Sequence, residues 1–112
     1  MKLTTHEEQG IVIFAIKGKI MGGSDAAIFY DKLQEMIQQN KTKVVIDLAK
    51  VDWINSRGLG MLISGLTTMR NNRGELKLAC VVEKVKSLLV LTRLVTAFDS
   101  YDTIDDAIKG FE

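Results

Sequence analysis

The most informative segment of this sequence is residues 44–60, which read VVIDLAKVDWINSRGLG. Its first part, Val44–Leu48, is an almost unbroken apolar run that predicts a strand covered on both faces and followed by a short turn. A helical pattern of apolar residues begins at about Ser56. The segment therefore places Ser56 at the start of a helix, close to the carboxyl end of a central strand, where open sheets bind their ligands.

A hairpin and a helix are predicted ahead of this segment. Lys2–Thr5 and Ile11–Ile16 are separated by a short turn, which is typical of two antiparallel strands. Gly22 and Gly23 then form a flexible turn, and Ser24 is the expected N-cap of the first helix. Apolar residues at helical spacing predict the buried face of that helix: Ala26, Phe29, Tyr30, Leu33, Met36 and Ile37.

Helices and strands continue to alternate after Ser56. The second helix ends near Gly74, and its predicted buried stripe is Leu59, Leu62, Ile63, Leu66 and Met69. The remaining predicted elements are a strand over Leu76–Val81, a helix over Glu83–Leu94, a short strand within Ala97–Tyr101 and a helix over Thr103–Phe111 capped by Thr103. Such alternation pairs strands in parallel. We therefore expect one α/β sandwich domain over residues 1–112, with a mixed sheet of four or five strands and about four helices.

Composition narrows the classes of partner. The chain has 112 residues, 46% of them apolar, and its 15 basic side chains balance 14 acidic ones, without long blocks of one sign. This balance gives no electrostatic footprint for nucleic acid or an anionic membrane. No apolar run approaches the roughly 20 residues of a membrane span, and no signal peptide is indicated. We expect a cytoplasmic protein, without membrane insertion, whose partners are proteins or small molecules.

Candidate catalytic groups are sparse. His6 lies in the first hairpin, far in sequence from Ser56, and is expected to be a solvated surface side chain. Asp47 and Asp52 flank the segment but have no histidine or metal cluster beside them. Cys80 lies in an apolar strand and is expected to be a buried, unreactive thiol. The sequence therefore predicts no enzyme, no metal site and no cofactor.

The residues alone leave two roles open for Ser56. Its hydroxyl could cap the second helix by accepting hydrogen bonds from helix amides. Alternatively, the helix start could bind an anion, because Gly58 and Gly60 permit close approach to unpaired N–H groups. The glycines are not followed by a GK[ST] sequence, so a nucleotide phosphate loop is not indicated.

Residues 47–60 resemble the signature of the STAS domain, which anti-sigma factor antagonists share with sulfate transporter tails. Family members typically read D-L-S-x-V-x-F-[IM]-D-S-[ST]-G-L-G over this stretch. The resemblance extends to Ile16–Ile20 and Leu76–Ala79, and also to Leu94 with Phe98. It implies the STAS fold over nearly the whole chain.

The resemblance also implies a mechanism. The serine after the motif's acid is the phosphoacceptor in such proteins, and by position that serine is Ser56 here. The unmodified antagonist binds an anti-sigma factor serine kinase and frees a sigma factor, and phosphorylation ends the interaction until a metal-dependent phosphatase resets it. ATP and magnesium belong to the kinase, so the chain is a switch rather than an enzyme. The alternative is a constitutive STAS accessory subunit that docks on a transporter ATPase.

The partner is expected to bind around Ser56 and along the helix face opposite the apolar stripe, which carries Arg57, Gly60, Met61, Ser64, Gly65 and Thr68. The complete set of expected partner-binding residues is Asn55, Arg57, Gly58, Gly60, Met61 and Ser64, with Met21 and Gly22 from the first turn. Asn55 and Arg57 replace the family's usual aspartate and small hydroxyl residue, which indicates a divergent partner. The apolar pair Val90 and Leu91 indicates either a tightly enclosed third helix or a contact with a partner or a second copy in a homodimer.

Overall fold

The alternation of strands and helices in the sequence forms one mixed sheet with helices on both faces. The computed structural model describes residues 1–91 and 97–112. Its elements are β1 Lys2–Glu8, β2 Ile11–Ile20, α1 Ser24–Gln38, β3 Lys43–Ile54, α2 Ser56–Asn71, β4 Glu75–Ala79, α3 Glu83–Leu91, β5 Ser100–Tyr101 and α4 Ile104–Lys109. The last part of the predicted third helix, residues 92–94, lies outside the described residues. Leu94, one of the residues that carry the resemblance, lies there too.

The strands lie in the order β1-β2-β3-β4-β5. β1 and β2 form the predicted antiparallel hairpin, whose turn uses positive φ angles at Gln9 and Gly10. The other three pairings, β2 with β3, β3 with β4 and β4 with β5, are parallel. The predicted mixed sheet is confirmed, and β3 lies at its centre.

Both faces of the central strands are covered, as the apolar run in β3 predicted. Ile46 packs in the large core that α1, α2 and α3 form on one face of the sheet, whereas Val45 packs with α4 on the other face. Neither side chain has any exposed surface. The cap predicted for α4 is also present, since the Thr103 hydroxyl accepts a hydrogen bond of 3.0 Å from the Asp106 N–H group.

β3 is longer than the sequence indicated, and the turn expected after Leu48 is wrong. The strand continues to Ile54, because Val51 and Ile54 are each only 1% exposed and go on facing the core. β2 runs alongside as far as Ile20, and two register shifts keep the strands paired past the polar residues of β3. A single residue, Asn55, therefore separates the end of β3 from the start of α2.

The N-cap predicted at Ser24 is also wrong. Gly23 occupies the cap position with a φ of 62°, and Ser24 is the first residue of α1. A left-handed φ of this kind favours glycine over serine.

The third helix is not enclosed on all sides. Val85 and Leu89 point into the core, but Val90 is 55% exposed and Leu91 is 79% exposed. A contact of this pair with a partner or a second copy of the chain stays a prediction. No helix in the described ranges is long and apolar enough to cross a membrane.

Candidate functional site

The start of α2 is capped by Asn55, not by Ser56. The Asn55 Oδ1 atom accepts a hydrogen bond of 2.8 Å from the Gly58 N–H group, and its backbone carbonyl accepts one of 2.9 Å from Leu59. The Asn55 N–H group donates to the Ile20 carbonyl at 3.2 Å, which ties the cap to β2. The interpretation of Ser56 as a cap is therefore wrong, because its neighbour has the extended backbone that a cap requires.

Ser56 is the first residue of α2, and its side chain is exposed. The first N–H groups of a helix have no acceptor within the helix. Asn55 accepts a hydrogen bond from the Gly58 N–H group. The N–H groups of Ser56 and Arg57 have no acceptor in the described part of the chain. An exposed hydroxyl thus stands at the positive end of a helix of 16 residues, a position that stabilises negative charge.

A second segment lies directly against this first turn. Gly22 is buried with a φ of +80°, and a Cβ atom at that position would approach the Arg57 Cβ atom to 2.6 Å. Met21, beside it, is 44% exposed, and its N–H group donates to the Asp25 carboxylate at 3.4 Å. The fold therefore brings Met21 and Gly22 next to Ser56 and Arg57, although more than thirty residues separate them in sequence.

The exposed face of α2 is narrower than predicted. Gly60 and Ser64, one turn apart, are exposed, and nothing lies within 4 Å of a Cβ atom added at Gly60. Met61 is only 2% exposed, and its carbonyl accepts a hydrogen bond of 3.5 Å from the Tyr30 hydroxyl. Its placement on the open face is wrong, because α1 packs over that side of α2.

Gly65, assigned to the open face of α2, and Gly58, expected to contact the partner, are also buried. A Cβ atom at Gly65 would come within 2.6 Å of the Phe29 ring, so Gly65 allows α1 and α2 to pack closely. A Cβ atom at Gly58 would meet the Ile20 carbonyl oxygen and lie 2.8 Å from Ile54. Gly58 therefore lets α2 approach the sheet, and its expected contact with a partner is wrong.

Trp53, which shares a cavity with Met21, is an exposed aromatic residue that the sequence interpretation missed. It is 37% exposed, its register partner is Lys19, and the Lys84 ammonium lies 5.3 Å from the centre of its ring. These three side chains, with Met21 and Asp52, line a shallow cavity of about 330 Å³. The available signal was a bulky aromatic residue directly after a polar Asp52, in the last part of a strand where the buried positions are Val51 and Ile54.

The other candidate residues lie elsewhere. His6 is on the surface, as predicted, and its ring nitrogen lies 3.2 Å from the Glu8 carboxylate. Cys80 is half-buried rather than buried, and burial, with the nearby Asp47 carboxylate, raises the pKa of its thiol. A raised pKa keeps the thiol protonated and unreactive. No group of three or more histidine, cysteine, aspartate or glutamate side chains within residues 1–91 and 97–112 is placed to hold a metal ion.

A mixed sheet with helices on both faces and an exposed serine at a helix start is the arrangement expected of a STAS domain. The STAS domain model matches residues 2–107. The chain therefore belongs to the STAS domain family.

Individual relatives agree with this assignment. A Bordetella bronchiseptica protein named "Putative anti-sigma factor antagonist BtrV" is 24% identical over 112 residues, which cover 100% of this chain and 96% of the relative. The crystal structure of a Thermotoga maritima protein described in the same words has a TM-score of 0.86, with 25% identity, 96% of this chain and 92% of that chain covered. The anti-sigma factor antagonist SpoIIAA in its unphosphorylated form shares the fold, with a TM-score of 0.73, 12% identity, and 98% and 97% of the two chains covered.

Proposed function

We propose that this protein is an anti-sigma factor antagonist that works as a phosphorylation-controlled switch. The exposed first turn of α2, with Met21 and Trp53 beside it, binds an anti-sigma factor serine kinase, and the kinase phosphorylates Ser56. Binding of the unmodified protein releases a sigma factor, and a metal-dependent phosphatase restores that form. The observation that carries this proposal is an exposed Ser56 at the first position of α2, with the cap provided by another residue.

The division between Asn55 and Ser56 supports a modifiable serine. A kinase can transfer phosphate to a serine hydroxyl without breaking the cap only if that hydroxyl is not itself the cap. Here Asn55 holds the Gly58 N–H group, so the Ser56 hydroxyl is available. The added phosphate would meet the unpaired amides of the first turn and the positive end of the helix dipole.

Electrostatics explains how phosphate would end the interaction. Phosphorylation adds about −1.5 to −2 charges near neutral pH, whereas the formal net charge of the chain is +1. The phosphate would stand close to Met21 and Trp53, both of which expose apolar surface. A partner that buries these side chains would then have to desolvate a dianion, which lowers its affinity.

Arg57 distinguishes this site from the usual family pattern. Its side chain is exposed and its base packs against Gly22, next to the proposed acceptor. A guanidinium group binds phosphate oxygens in a bidentate manner. We therefore assign to Arg57 a contact with the partner's acidic groups before phosphorylation and with the Ser56 phosphate afterwards.

The experiment is a phosphorylation assay with the candidate anti-sigma factor kinase and ATP, read by intact-protein mass spectrometry. The wild-type protein is expected to gain one phosphate, and Ser56→Ala to gain none. Ser64→Ala is the matched control, because Ser64 is exposed on the same helix two turns further on. Labelling that persists in Ser56→Ala and disappears in Ser64→Ala would move the acceptor to the other serine.

A further inference from the structure

Three lysines stand side by side on the face of the sheet that carries α4. Lys2 in β1 is the register partner of Lys17 in β2, and Lys17 is the register partner of Lys50 in β3. Residues directly opposite each other on paired strands project from the same face. All three side chains are exposed. We call this set the lysine row.

The lysine row lines a cavity that α4 leaves open. α4 packs on Ile13 and Val45 at the other end of the same face, and its apolar contacts do not reach the lysine row. The floor of the open part is Ala15, with Thr4 and Asp47 on either side of it in the same register row. These residues and the lysine row enclose about 300 Å³, at the lower end of the range for small-molecule sites.

The charge of the cavity is not balanced. Like charges directly opposite each other destabilise a sheet. No carboxylate in the described part of the chain forms an ion pair with Lys2, Lys17 or Lys50. Asp47 is the one acid in the lining, and its Oδ1 atom accepts a hydrogen bond of 3.0 Å from the Ala49 N–H group. Three lysines against one aspartate leave two uncompensated positive charges around a concave surface.

We propose that this cavity binds a small phosphorylated anion with at least two negative charges, such as inorganic pyrophosphate. Lysine ammonium groups recognise phosphate as compact point charges, and one anion between three strands would relieve the repulsion of all three at once. The Thr4 hydroxyl on the cavity wall adds a neutral hydrogen-bond donor. The cavity lies on the face of the sheet opposite α2, so the proposal is independent of the role of Ser56.

Isothermal titration calorimetry with inorganic pyrophosphate tests the proposal, and adenosine diphosphate in a second titration tests whether a nucleoside adds affinity. Saturable binding by the wild-type protein is expected, with Lys17→Gln and Lys50→Gln each weakening it by about tenfold. Lys43→Gln is the matched control, because it removes the same charge from an exposed position of β3 outside the cavity. The control should bind pyrophosphate as the wild type does.

Two further measurements locate the site and check folding. Pyrophosphate should shift the amide NMR signals of Ala15, Lys17 and Lys50 and leave that of Ser56 unchanged. Without ligand, Lys17→Gln should raise the thermal midpoint, since it removes like-charge repulsion, and its circular dichroism should match the wild type. Absence of saturable binding of either ligand up to about 1 mM would overturn the proposal. Equal weakening in Lys43→Gln would overturn it too, because it would show attraction by net charge alone.

Discussion

At the scale of single residues, two neighbours at the start of α2 have separate roles: Asn55 caps the helix, and Ser56 is exposed. Asparagine and serine are comparably good N-caps, so the pair Asn55-Ser56 cannot be resolved from residue types. The backbone resolves it: Asn55 has φ −101° and ψ −179°, outside the helical region, and its side chain reaches Gly58. Ser56 is thereby left exposed for chemistry.

Replacing the cap should cost stability, whereas replacing the serine should not. Asn55→Ala removes the acceptor of the Gly58 N–H group and is expected to lower the free energy of unfolding by about 1 kcal/mol. Ser56→Ala should change it by less than about 0.5 kcal/mol. Urea denaturation followed by circular dichroism measures both. Asn55→Asp is the control, because aspartate retains the cap, and an equal loss in Ser56→Ala would contradict the assignment of the cap to Asn55.

Two glycines in the same turn should respond in opposite directions to alanine. Gly58→Ala places a methyl group against the Ile20 carbonyl oxygen and Ile54, and such overpacking costs about 1–3 kcal/mol. Gly60→Ala meets open space and should stabilise α2 by about 0.5–1 kcal/mol. Thermal unfolding of the two variants checks the contrast. Similar midpoints would show that α2 does not approach β2 as closely as described.

At the scale of elements, the sequence predicted the periodic parts well and the contacts between helices poorly. The stripe of α2 is buried at Leu59, Leu62, Leu66 and Met69, as helical spacing required. The opposite face could not be predicted from one helix alone, since α1 packs across it and buries Met61. The extension of β3 was missed for a similar reason, because it depends on pairing with an equally extended β2.

A buried lysine joins two elements near the chain's carboxyl end. Lys77 in β4 is 6% exposed, and its Nζ atom lies 2.9 Å from the Asp99 carboxylate, just ahead of β5. The rings of Tyr101 and Phe111 lie 5.6 Å and 5.0 Å from the same atom. Burial alone would lower the pKa of Lys77, but the hydrogen bond and charge of Asp99 raise it overall. The hydrogen bond from Lys77, and then its charge, lower the pKa of Asp99.

This pair predicts a pH dependence of stability. The folded pKa of Asp99 lies below its ordinary value of 3.8, so its contribution is present above that pH and is lost as the pH falls through the folded pKa. Asp99→Asn should therefore be less stable than the wild type near neutral pH, and the difference should narrow as the pH falls below about 4. The effect should be modest and sensitive to salt, because the Asp99 side chain is 59% exposed.

Urea denaturation at several pH values checks this prediction. Asp31→Asn is the control, because Asp31 is an exposed acid on α1, away from Lys77. Its difference from the wild type should vary less with pH. A difference for Asp99→Asn that stays constant from neutral to acid pH would show that the ion pair does not contribute to folding stability.

At the scale of the whole molecule, the two faces of the sheet carry different surfaces. One face is covered by α1, α2 and α3, and the exposed Ser56 lies at the start of α2. The other is covered by α4 only in part and presents the lysine row. Alternation of strands and helices predicted the layers, and the family signature predicted the position of Ser56. The lysine row depends on the registers of three strands, which cannot be predicted from the sequence alone.

The central claim is that phosphate on Ser56 controls binding, and isothermal titration calorimetry with the candidate anti-sigma factor kinase tests it most directly. The unmodified protein is expected to bind, and the protein phosphorylated on Ser56 to bind at least about tenfold more weakly. Ser56→Ala, which keeps the site neutral, should bind as the unmodified protein does. Equal dissociation constants for the phosphorylated and unmodified proteins would contradict the claim and would show that this surface docks without regard to phosphate.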